Sequence, residues 1–281
     1  MALSKDSLTL ADFIRANPKL LIISGAGCSQ DSGIPTYRDK QGNWLRNDPI
    51  QHKDYLSDPF MRQRYWARSY YGWQQIAQAK PNRAHQSLAT LQQHGFGTRL
   101  VTQNVDGLHQ LAGHKDVIDL HGRLSEVVCL DCSEITDRNK HQQRLDEENP
   151  SLNKLRSQPE LRPDGDAEVD NSIASTLNLP RCLNCDGVLK PNVVFYGGSV
   201  DRGLVQKIYQ MTQAADAILI VGSSLMVFSS FRFVKRAREL QKPIVVINEG
   251  VTRADEFLTM KFEQPCQELL TATTKLLTEQ L

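Results

Sequence analysis

The stretch at residues 20–39, LLIISGAGCSQDSGIPTYRD, carries the reading of the whole chain. Its apolar start, LLII, predicts a short buried strand. Gly25, Ala26 and Gly27 follow without a break. A strand running into a glycine-rich turn opens the dinucleotide-binding pattern G-x-G-x-x-G, in which loop backbone approaches a pyrophosphate. The third glycine of that pattern belongs at position 30, where Gln30 stands, and Gly33 and Pro35 come only later. Pro35 keeps the chain around it extended or turned. The loop therefore begins as a phosphate cradle and continues as a longer excursion.

The same arrangement, an apolar run closed by small or polar residues, recurs along the chain. It is found in TRLVTQN, DVIDLHG, NVVFYGG, AILIVGSSL and PIVVINEG. Helical patterns such as NRAHQSLATLQQHG and FSSFRFVKRARELQ lie between some of them. This alternation predicts an α/β fold, a Rossmann-like parallel sheet with helices on both faces. Ligands of such sheets bind beyond the carboxyl ends of the strands. Gly25, Gln103, Asn104, His121, Ser223 and Asn248 are thereby expected to converge on one crevice.

Two segments interrupt the alternation. Residues 46–78 are rich in aromatics and read as a helical insertion. Residues 128–186 begin and end near cysteine pairs, and their polar centre, broken by Pro159 and Pro163, reads as a disordered surface excursion or lid. The expected partition is a sheet domain of residues 1–45, 79–127 and 187–281, with the two insertions forming a smaller domain.

At 40% hydrophobic, the 281 residues can bury a core in one large or two modest domains. A net charge of +1 gives no reason to expect nucleic-acid binding. No window approaches the roughly 20 apolar residues that span a bilayer, so no membrane partner is expected. The opening MALSKDSLTLADFIRANP has neither a signal-peptide core nor the acid-poor composition of a transit peptide. A cytoplasmic enzyme or regulator is the expectation.

Four of the six cysteines form two C-x-x-C pairs, Cys129 with Cys132 and Cys182 with Cys185. Two such turns can complete a tetrahedral four-sulfur site, which suits one structural Zn2+. The 49 residues at positions 133–181 between the pairs exceed ordinary ribbon spacing. That is tolerable because loop-closure cost grows slowly with length. Cys28 and Cys266 stand alone.

Taken in order, GAGCSQDSGIPTYR, TQNVDGLH, LHG, the two C-x-x-C pairs, KPNVVFYGG, GSSL and INEG resemble the sirtuins, NAD-dependent protein deacylases. The aromatic insertion and the RPDGD stretch between the cysteines are similar to the class II branch of that family, and without a transit peptide the chain looks bacterial. The resemblance implies NAD as cofactor and acyl-lysine proteins as partners. It implies that the backbone around Gly25, Ala26 and Gly27 binds the diphosphate, with Ile34, Tyr37 and Arg38 on a mobile continuation of the loop. Gln103, Asn104, Asp106, Gly222, Ser223 and Ser224 would line ribose, diphosphate and nicotinamide. Asn248, Glu249, Gly250 and Cys266 would lie at the adenosine end.

The resemblance further implies that the acyl-lysine oxygen displaces nicotinamide and that a base then activates a ribose hydroxyl. His121 is the expected base, with Asn104 as its catalytic companion, because histidine titrates near neutrality. His85, His94 and His109 read as ordinary core or surface histidines. Val193, Phe195 and Tyr196 would offer a strand edge and an apolar tunnel to the substrate. Gly198 stands where the related pattern has an acidic residue, which puts peptide preference in question. Tyr65 and Arg68, three apart on the expected helix, share a face and are similar to a pair that grips acyl carboxylates, implying glutaryl-like substrates over acetyl. Protein ADP-ribosylation and a non-catalytic NAD-binding module are the alternatives.

Overall fold

The computed structural model describes residues 4–45, 49–97, 99–150, 152, 167 and 169–279. Among these, six strands form a parallel sheet: β1 (Leu20–Ser24), β2 (Arg99–Thr102), β3 (Ile118–Asp119), β7 (Ala217–Val221), β8 (Ile244–Ile247) and β9 (Met260–Phe262). Their order is β3-β2-β1-β7-β8-β9. A second sheet of three antiparallel strands has the order β5-β4-β6, from β4 (Gly122–Cys129), β5 (Ile135–Asp137) and β6 (Leu189–Val193).

The strand LLIIS is buried along its whole length, and its side chains alternate between two cores. Leu20 and Ile22 point into a core with α1 (Lys5–Ala16), α4 (Arg83–Gln93) and α10 (Cys266–Thr278). Leu21 and Ile23 point into the opposite core with α8 (Arg202–Ala214) and α9 (Phe228–Glu239). A strand apolar on both faces can be stable only between two helix layers, which is why its sequence reads as a continuous run. Ser4 and Ser7 close a reciprocal capping box that starts α1, and Asn82 with His85 does the same for α4.

Strand order reverses between β1 and β7, so the chain leaves these two neighbours in opposite directions and opens a crevice at their carboxyl ends. Gly25 and Gly222 follow those ends directly.

The aromatic insertion forms α2 (His52–Ser57) and α3 (Pro59–Gln78), the latter started by Asp58 on the Phe60 N–H. Tyr55, Tyr65, Trp66 and Tyr70 share a core with Val127, Cys129, Cys182, Leu189 and Phe195. The helical insertion and the cysteine-bearing segment thus pack on each other.

The structure departs from the sequence reading in two places. NVVFYGG was expected in the parallel sheet, but its start belongs to β6 of the small antiparallel sheet, paired with β4. The apolar run is the same for either sheet, and only the pairing partner distinguishes them. The polar centre of the inter-cysteine segment holds α6 (Arg138–Glu148), buried through Arg138, His141, Gln142 and Leu145, and α7 (Asn171–Ser175). Its polar residues pack against the aromatic insertion: Arg138 lies 5.3 Å from the rings of both Trp66 and Trp73. The rest of that polar centre, residues 151, 153–166 and 168 with the RPDGD stretch among them, lies outside the described residues, and so does the expected excursion or lid there. No described helix is long and apolar enough to cross a membrane.

Candidate active site

The crevice at the β1–β7 switch point has a volume of about 1020 Å³, ample for a dinucleotide and a second ligand. Its floor is two loop backbones pressed together. Gly25 N–H donates to the Val221 carbonyl at 3.0 Å and Gly27 N–H to the Gly222 carbonyl at 2.9 Å. Gly222 has φ +60°, and a Cβ there would lie 2.3 Å from the Cys28 nitrogen. A Cβ on Gly25 would lie 2.7 Å from Ser223 Cβ. The glycines are therefore required by contact between the two loops, and not only by the approach of a phosphate. Ala26 N–H is not used in this way. The tight floor brings Gly25, Ala26, Gly27, Gly222, Ser223 and Ser224 to the crevice surface together.

The longer excursion closes one side. Ile34 is buried against Trp73, Leu108 and Leu124. Tyr37, Trp44 and Tyr196 make mutual edge contacts at 5.5–6.2 Å. Arg38 donates to the Gly42 carbonyl at 2.7 Å and stacks 4.0 Å from the Trp44 ring. The far end of the loop is tied to the loop after β8: Lys40 pairs with Glu249 at 2.8 Å, and Val251 N–H donates to the Lys40 carbonyl at 2.9 Å. Gly250, φ +100°, sits against the Lys40 backbone and is not among the lining residues. Asn248, Glu249 and Cys266 do line the crevice. Burial pushes the Cys266 thiol up to about 12, so it is a neutral, apolar wall.

On the other side, the ends of β2 and β3 deliver the titratable groups. Gln103 Nε2 donates to Ser223 Oγ at 2.7 Å and to the Ser24 carbonyl at 3.1 Å, while Ser230 donates to Gln103 Oε1 at 2.8 Å. Asn104 Nδ2 donates to Ser29 Oγ at 2.9 Å and to the Gly25 carbonyl at 3.1 Å. Ser29 donates in turn to Asp106 Oδ2 at 2.7 Å. Asp106 Oδ1 accepts the Leu108 N–H at 2.9 Å, the first N–H of the short helix α5 (Leu108–Leu111), whose N-cap is Gly107. This hydrogen bond and a ligand role are compatible, because each carboxylate oxygen has a second lone pair. Burial raises the Asp106 pKa, and the two hydrogen bonds oppose it.

His121 follows β3. Its Nδ1 lies 3.0 Å from the Gln103 carbonyl, an acceptor only, so Nδ1 carries the proton of the neutral ring. Nε2 then presents a lone pair and accepts from Ser229 Oγ at 2.8 Å. Burial lowers the His121 pKa, with the Gln103 bond opposing, which keeps the ring neutral and able to take a proton. Gly122, φ +82°, lets the chain turn from β3 into β4 beneath the Asn192 carbonyl. His85 and His109 lie in the core as expected, buried with rings 4.7 Å apart. Burial lowers the His85 pKa to about 4.

Val193, Phe195, Tyr196, Leu124 and Tyr65 line the same crevice as His121 and make part of its wall apolar. Arg68 is not among the lining residues. It is buried one turn behind Tyr65 and donates Nε to the Ala167 carbonyl at 3.2 Å.

Sequence reading missed three serines. Ser29 joins Asn104 to Asp106, Ser229 meets His121 Nε2, and Ser230 orients Gln103. The paired hydroxyls of FSSF, opening a helix just after GSSL, were the available signal for Ser229 and Ser230.

Outside the crevice lining, Cys129 and Cys185 Sγ are 3.5 Å apart and Cys132 and Cys182 Sγ 3.7 Å apart. All four sulfurs lie within 4.8 Å of one another. A zinc with four bonds of about 2.3 Å has sulfur–sulfur edges of about 3.8 Å, so the set fits one structural Zn2+. All four ligands come from protein, which leaves no open position for catalysis.

The Sir2 family profile matches residues 25–229. The chain is 47% identical over 262 residues to "NAD-dependent protein deacetylase 2" of Bradyrhizobium diazoefficiens, covering 93% of this chain and 95% of that one. It is 48% identical over 265 residues to an "NAD-dependent protein deacetylase" of Xanthomonas axonopodis pv. citri, covering 94% and 90%. Among solved structures, Sir2Tm bound to a propionylated peptide is 25% identical, with a TM-score of 0.72 and coverage of 95% and 96%.

Proposed function

Because this chain belongs to the Sir2 family, we propose that it removes acyl groups from protein lysines at the expense of NAD. The observation that carries this reading is His121 Nε2, an unprotonated ring nitrogen in the crevice that the glycine loops and the apolar Val193, Phe195 and Tyr65 line together. Gly25 to Gly27, Gly222 to Ser224 and Asn248 would hold NAD, whose ribose carbon supplies the electrophile when nicotinamide leaves. His121 takes a hydroxyl proton on Nε2, and the Gln103 carbonyl stabilises the imidazolium through Nδ1–H. Asn104, fixed by Ser29 and the Gly25 carbonyl, orients ribose or water. Val193, Phe195 and Tyr65 exclude solvent along the lysine chain. The products of this reading are free lysine, nicotinamide and O-acyl-ADP-ribose.

The finer proposal is a preference for glutaryl-like groups over acetyl. Tyr65 in the channel wall supports it, and Arg68 one turn behind supplies a cation that would exchange the Ala167 carbonyl for an acyl carboxylate. Mass spectrometry of products from acyl-lysine peptides with NAD tests the whole reading. Release of nicotinamide with transfer of ADP-ribose to the protein would support the transferase alternative. NAD binding without turnover of any peptide would support the regulatory one.

A further inference from the structure

The crevice does not end at the lysine channel. Its rim there is made by residues 195–200 on one side and Met226, Val227, Phe228 and Ser229 on the other. Beyond the rim a second groove runs between α8 and α9, floored by Tyr209 and Phe228 and walled by Gln206, Arg232 and Lys235. Phe228 and Arg232 line both, so the groove continues the crevice surface.

The unpaired charges along this path are of one sign. Arg202 lines the rim, and Arg232, Lys235 and Arg236 line the groove. Its one acidic wall residue, Glu239, is paired with Arg236 at 2.9 Å. Asp201, beside Arg202, accepts the Leu204 N–H at 2.8 Å as the cap of α8 and does not line the rim. Among the described residues no carboxylate pairs with Arg202, Arg232 or Lys235. Arg232 Nε is buried without a hydrogen-bond partner, and its guanidinium sits 5.2 Å from the ring of Phe228, itself 50% exposed. A buried donor on a cation calls for an anionic acceptor. At the adjoining rim, Gly198 contributes no carboxylate to repel one.

We propose that the α8–α9 groove holds the polypeptide flanking the acyl-lysine and selects flanks that carry Asp or Glu. This rests on the deacylase reading, because continuity with the lysine channel makes the occupant a substrate chain. A nucleic acid would need a broad basic face, and the chain's net charge is only +1.

The test measures the affinity of the full chain, without NAD, for acyl-lysine peptides with acidic, uncharged or lysine-rich flanks, placed on either side. Partly exposed charge contacts should make one acidic series bind roughly fivefold to tenfold tighter than the uncharged one, and high salt should shrink the gap. Arg232→Gln should reduce the ratio. Lys235→Glu, on the exposed wall, should move preference toward lysine-rich flanks. Equal affinity for acidic and uncharged flanks, no peptide binding at all, an acidic preference untouched by both variants, or tighter binding of a DNA oligonucleotide at the same residues overturns the proposal. Turnover of the uncharged peptide with NAD tests the deacylase reading separately, so the two can fail independently.

Discussion

His121 Nε2 and Ser229 Oγ stand 2.8 Å apart, joined across 108 residues of chain. With Nδ1 committed to the Gln103 carbonyl, the serine hydroxyl can only donate, and it donates to the lone pair that takes the substrate proton in the proposed function. A donor to the neutral ring favours that form over the imidazolium.

This relationship predicts a pH effect with a definite sign. Activity requires neutral His121, and burial places its pKa below 6.5. The rate should therefore rise with pH through a pKa below 6.5 and level off before neutrality. Ser229→Ala removes a bond to the neutral form, so the acidic limb should move to higher pH. An unmoved limb would separate Ser229 from the base. His121→Ala should lower turnover by about 100- to 10,000-fold while NAD affinity persists.

Gly222→Ala should loosen the crevice floor. A left-handed backbone alone costs an L-residue about 1–2 kcal/mol, and the new Cβ would lie 2.3 Å from Cys28 N. Both the thermal midpoint and NAD affinity should fall. A variant with both unchanged would show that the two loops are not held by this contact.

The four sulfurs predict about one zinc per folded chain, read by metal analysis. Removing it by chelation, or replacing Cys132 with Ser, should destabilise the small sheet first, because Cys129 and Cys182 share a core with Leu189 and Phe195. Peptide binding should be lost with it. Folded, active protein without zinc would refute the assignment.

Arg68→Met decides the acyl proposal. If Arg68 reads a carboxylate, kcat/KM for glutaryl-lysine should fall by roughly 1.5–3 kcal/mol while acetyl-lysine is nearly untouched. Equal losses would mark Arg68 as a packing residue that ties α3 to Ala167.

The sequence by itself determined the layering of the sheet, the grouping of Cys129, Cys132, Cys182 and Cys185 and the place of His121 in the crevice. Runs such as LLIIS and AILIV report burial on both faces through neighbouring residues, and C-x-x-C spacing sets a ligand turn locally. The tertiary structure alone decided that KPNVV pairs with β4 in the small sheet, because an apolar run does not name its partner strand. It also decided why Gly25 and Gly222 are glycines, since that reason lies in a second loop about 200 residues away. Which His121 nitrogen is left without a proton, and the buried place of Arg68, were decided the same way. Each depends on an acceptor, the Gln103 or Ala167 carbonyl, brought near by the path of the chain and not by adjacency along it.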